Sequence, residues 1–97
     1  MSQKHYDTSK MREAASSIRS QVNKTFKPSK DTIDATVSQM KTYFDDPVHT
    51  SYVAKYNKDA KPSIESVMNL MLQYADFLEK SAEAIDSVIS KGKEALY

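Results

Sequence analysis

The residues best equipped for chemistry lie together near the middle of the chain. In "YFDDPVHTSYVAKY", residues 43–56, Asp45, Asp46 and His49 are close enough to act as metal ligands or as a general-base pair. Either use needs further groups, and the sequence supplies few. The only other histidine, His5, sits in the polar N-terminal segment and reads as a solvated residue. The many Ser and Thr residues are accompanied by no Gly-rich phosphate loop, nucleophile elbow or paired-His spacing. With no Cys, thiolate metal sites, thiol catalysis and disulfides drop out together. The expectation is a protein that is not an enzyme, with no metal and no cofactor. Asp46 has a simpler use, because an Asp before a Pro caps a helix whose first residue is that Pro.

That use directs attention to the elements around it. One Gly and three Pro in 97 residues argue against a turn-rich β fold. In the first half, Met11, Val22, Ile33 and Phe44 recur at steps of eleven, as do Ala15, Phe26 and Val37. In the second half Tyr56, Val67, Leu78 and Ile89 do the same. A step of eleven is about 3.67 residues per helical turn, so each half predicts one long helix with an apolar stripe. Asp7 is placed to cap the first helix, with Tyr6 packing on Met11 as a hydrophobic staple. Lys91, Gly92 and Lys93 predict the end of the second, with Gly92 in a left-handed cap.

The fold predicted is all-α: one antiparallel two-helix hairpin, with helix one at about 7–44, a turn at 45–46 and helix two at about 47–91. At ~1.5 Å per residue the rod is about 55 to 65 Å long. "KPS" occurs at 27–29 and again at 61–63. A hairpin centred near residue 45 sets Pro28 and Pro62 facing each other. Each costs ~3 kcal/mol in a helix interior, yet Lys is a poor N-cap before either. Kinked but continuous helices are therefore favoured over four short ones.

Helix two carries more apolar surface than one neighbour covers, since Tyr52, Tyr56, Leu70, Phe77 and Val88 widen its stripe. Those five are the partner-facing candidates, and a four-helix bundle formed by dimerisation is the expected assembly. A net charge of +1 gives no electrostatic reason for a nucleic-acid partner. No apolar run approaches the ~20 residues that span a bilayer, and the first ten residues lack a signal-peptide core, so membrane association and the usual secretory route are not indicated.

The turn also carries a resemblance. About a hundred residues, a midpoint turn with an aromatic before it and aromatics after it, and the "LQYADFLEKSAEAID" segment resemble the WXG family of small type VII secretion proteins, also called early secretory antigen-like proteins. There a Trp-x-Gly turn joins two helices. Phe44 stands at the Trp position, Asp46 at the Gly position and Val48 at the small apolar site two residues later, with Pro47 between. Tyr52 and Tyr56 match aromatic sites of the second helix. The family's C-terminal Tyr-x-x-x-Asp or Tyr-x-x-x-Glu signal has no counterpart, as Tyr74 is followed at that spacing by Leu78.

The resemblance implies a non-catalytic secreted substrate, or a targeting partner of a larger LXG-type toxin, in a Gram-positive bacterium. Such a protein is made in the cytoplasm and exported by a type VII system. Its partners would be a copy of itself, a related small helical protein or the helical domain of the toxin, together with the secretion machinery. A cytosolic adaptor or immunity protein and a membrane-active hairpin are the alternatives.

Overall fold

The computed structural model describes the backbone of residues 6–96 and the side chains through residue 91. It is an all-α helical hairpin. The first arm comprises α1 (Thr8–Gln21), a π-helical turn (Val22–Phe26) and α2 (Lys27–Tyr43). The second comprises α3 (Pro47–Lys55), another π-helical turn (Tyr56–Ala60) and α4 (Lys61–Leu96). Both arms start on an aspartate. Asp7 accepts from the Lys10 N–H at 3.0 Å, and Asp46 accepts from the His49 N–H at 2.9 Å with Pro47 as the first helical residue. Each carboxylate thereby satisfies a backbone donor that the helix leaves free.

The two π turns show how the arms pass their prolines. Pro28 has no N–H to give, and its ring would strike the carbonyl four residues back. In each arm the residue before the Pro bonds five residues back instead, Lys27 N–H to the Val22 carbonyl and Lys61 N–H to the Tyr56 carbonyl. The wider turn absorbs the proline and the helix continues. The expected alignment of the prolines is not found. Lys30 opposes Glu65 and Lys61 opposes Asp34, which puts Pro28 level with about residue 67, some 7 Å along the axis from Pro62.

The far end also differs from expectation. Gly92 is not a left-handed cap, because α4 runs through it to Leu96. A single Gly costs only about 1 kcal/mol inside a helix, less than is needed to stop one that is otherwise well supported. The longer second arm makes the molecule 75 Å long and 24 by 19 Å across, beyond the length anticipated.

The core is thin. Ala15, Ala75 and Leu78 form its main cluster with Ile18 packed against it; Val22 and Ala82 are also buried, and Val53 is buried separately, near the turn beside Lys41 and Phe44. Alanines at 15, 75 and 82 let α1 and α4 approach closely. No residue of α2 is buried, so the hairpin is tightest toward its open end.

Candidate interaction surface

Two rows of residues run along α4, each stepping alternately by three and four. Met68, Met71, Ala75, Leu78, Ala82, Ile85 and Ile89 make the inner row; its buried members pack on the first arm. Val67, Leu70, Tyr74, Phe77, Ser81, Ala84 and Val88 make the outer row, one residue out of phase and turned about 100° away. Every large member of the outer row is exposed, among them Leu70 at 65%, Phe77 at 60% and Val88 at 69%. Tyr74 and Phe77 stack at 6.2 Å between ring centres with their planes 19° apart. Such spacing is the pattern of helices that pack knobs into holes, and two adjacent rows on one helix serve two neighbours. Within one hairpin the first arm is a single neighbour.

Between the levels of the two π turns the outer row merges with a groove between the arms. Phe26, Ser29, Lys30, Ile33, Ile64, Val67, Met68 and Met71 line about 310 Å³ of almost wholly apolar space. Exposed and apolar, Phe26 and Ile33 continue this face onto the first arm.

Charge gathers elsewhere. Arg12 binds Asp86 at 2.7 Å, and Arg19 binds Asp76 at 2.6 Å and also Glu79. Nearer the turn, Lys30 binds Asp34 at 2.8 Å and Glu65 at 3.2 Å, Lys61 lies 3.8 Å from Asp34, and the Tyr56 hydroxyl donates to the other Asp34 oxygen. These contacts clasp the arms where apolar packing is sparse.

The clasp sets protonation. The Lys30 ammonium, followed by the Tyr56 hydroxyl, holds Asp34 below the usual carboxylate range, and Asp34 in turn raises both Lys30 and Tyr56. Asp86 is held low by Thr8 and then by Arg12. A depressed carboxylate stabilises the fold above its ordinary value and ceases to do so as pH falls through the lowered one. A raised Lys or Tyr stabilises below its ordinary value and ceases to do so as pH rises through the raised one. Thermal melts should therefore show a plateau between about pH 5 and pH 9, with losses below about pH 4 and above about pH 10. Asp34→Asn should flatten the alkaline loss, because Lys30 and Tyr56 then lose the group that raises them.

The residues expected at the turn come together. The Phe44 ring meets His49 edge-on at 5.4 Å, Asp46 is engaged as a cap, Pro47 opens α3 and Val48 points to solvent. Among the described residues no group of three or more His, Cys, Asp or Glu is placed to hold a metal ion, and no helix is long and apolar enough to cross a membrane. Asp46→Ala should cost about 1 kcal/mol in urea unfolding and Asp46→Asn much less, since the amide oxygen still caps.

Of the five partner-facing candidates, Leu70, Phe77 and Val88 share the outer row. Tyr52 is exposed near the turn, with the Lys55 ammonium 6.0 Å above its ring. Tyr56 is half-buried, its hydroxyl occupied by Asp34 within the hairpin. Reasoning from sequence did not single out Phe26 as part of the open face, nor the Lys30–Asp34–Glu65 clasp. The spacing of Lys30 and Asp34 at i,i+4 was a usable sign of the latter. Comparison of the chain with protein-family models, with curated proteins and with solved structures finds no match.

Proposed function

We propose that this hairpin is a non-catalytic partner protein of bacterial type VII secretion, a WXG-like substrate or a targeting partner of a larger LXG-type toxin. It engages another helical protein through the outer row of α4. The observation that carries this reading is the exposed, charge-free row on a helix whose inner row is already occupied. A mid-chain turn built from Phe44, Asp46 and Pro47, and an all-helical fold of about this size, support the family assignment. In this reading the protein is made in the cytoplasm and leaves the cell with its partner.

The test is export from the Gram-positive bacterium that encodes the chain, with the type VII ATPase intact or deleted. The proposal expects the protein in the culture medium of the parent and its retention in cells of the deletion strain, with a cytosolic marker retained in both. Equal cellular retention in the two strains would favour the cytosolic adaptor reading instead.

A further inference from the structure

We infer that the turn-proximal half of the hairpin, α2 with α3, opens as a unit on the two π turns, and that the clasp of Lys30, Asp34, Tyr56, Lys61 and Glu65 is the latch that holds it shut. The inference concerns motion within one hairpin and goes beyond the partner role. Its first ground is the uneven core. Ala15, Ala75 and Leu78 join α1 to α4, whereas α2 buries no residue and α3 buries only Val53. Little apolar area therefore opposes separation of α2 and α3 from the rest. Segments held in this way open locally at a lower free energy than the whole molecule.

The second ground is where the arms can bend. Prolines and π turns are both common causes of sharp helix kinks, and each arm combines the two. Val22–Phe26 precedes Pro28, and Tyr56–Ala60 precedes Pro62. Each proline also removes a backbone donor, so one helical hydrogen bond fewer resists bending there. The pairing of Lys30 with Glu65 and of Lys61 with Asp34 sets the first π turn opposite about residues 69–73 and the second opposite about residues 35–39. The two hinges are thus about 20 Å apart along the axis. Because the turn joins α2 to α3, the two swing together only when both hinges bend.

The third ground is what lies between the hinges. Lys30 and Asp34 belong to α2, Lys61 and Glu65 to the first turns of α4, and Tyr56 to the second hinge. These contacts therefore tie the moving half to the fixed one. The Lys30 side chain is only 10% exposed, which limits screening and sets its pairs apart from ordinary surface ones. Asp34 alone engages Lys30, Lys61 and Tyr56, so one carboxylate holds the latch together. The apolar groove occupies the same interval, with Phe26 and Ile33 on one arm facing Ile64, Val67, Met68 and Met71 on the other. Release of the latch parts those walls, so the groove exists only in the closed hairpin.

The test is native-state hydrogen exchange of the full chain at neutral pH, read by mass spectrometry of peptic fragments. In the parent, amides of α2 and α3 should exchange together, at least about tenfold faster than those of α1 and of α4 around Ala75 and Leu78. Asp34→Asn should accelerate α2 and α3 by about three- to tenfold more, while α1 and the Ala75–Leu78 region stay within about twofold of the parent. Asp31, exposed on the same helix and outside the ion pairs, supplies the control. Asp31→Asn removes the same charge and should leave every helix within about twofold of the parent. Equal protection of the two halves in the parent would overturn the inference. So would an Asp34→Asn effect that is absent, that is spread alike over all four helices, or that Asp31→Asn matches.

Discussion

Leu78→Ala lowers the unfolding free energy by about 2–5 kcal/mol, and the loss appears as a fall in the urea midpoint with most of the slope retained. Leu78 is the largest side chain in the main buried cluster, beside Ala15 and Ala75. A globular domain spreads such a loss over a broad core, whereas this 75 Å rod has few buried residues in the described structure. The total stability of small domains is about 5–15 kcal/mol, so the substitution removes a large fraction of it. Leu78→Met, which preserves volume, should cost less than about 1.5 kcal/mol. Similar losses for Met and Ala would show that the cluster is not what holds the arms together.

Charge placed on the outer row acts on assembly and spares the fold. In the double variant Phe77→Asp, Val88→Asp, far-ultraviolet circular dichroism should retain most of the helical signal, because both side chains face solvent within one hairpin. Self-association should weaken on the order of 1,000-fold. Carboxylates at these two positions would each lose hydration against an apolar partner without a cation to pair with, and hot-spot residues typically contribute about 2 kcal/mol or more apiece. Phe77→Leu, Val88→Ile should retain association. A double Asp variant with the same solution mass as the parent would remove the outer row from the interface.

Particular residues explain which parts of this architecture were visible in sequence. Asp7, and Asp46 with Pro47, announce helix starts through local chemistry, and both starts are where that chemistry puts them. Leu70, Phe77 and Val88 were found because they lie on one uninterrupted helix, α4. Tyr56 begins a π turn, whose extra residue rotates α4 by about 100° relative to α3. The partner-facing set Tyr52, Tyr56, Leu70, Phe77 and Val88, drawn straight through that turn, therefore joins two different faces. The clasp was hidden for a related reason: Lys30 meets Glu65, and Tyr56 meets Asp34, only once the arms have a register. That register also staggers the prolines, which the symmetry of the two "KPS" segments did not anticipate. At Gly92, local preference for a cap was outweighed by continuation of the helix.

The same locality limits the functional reading. The turn of Phe44, Asp46 and Pro47 bears on secretion only by its resemblance to a family motif, while the bare outer row points to association through physical chemistry alone. Association is thus the claim on which the rest depends. It is tested most directly by the absolute mass of the unmodified protein in solution, measured by light scattering over a range of concentrations. The chain mass is 11.0 kDa, and the expected result is a particle of about 22 kDa, two chains closed about one axis. A particle of 11.0 kDa that keeps full helicity at the highest concentration would contradict it.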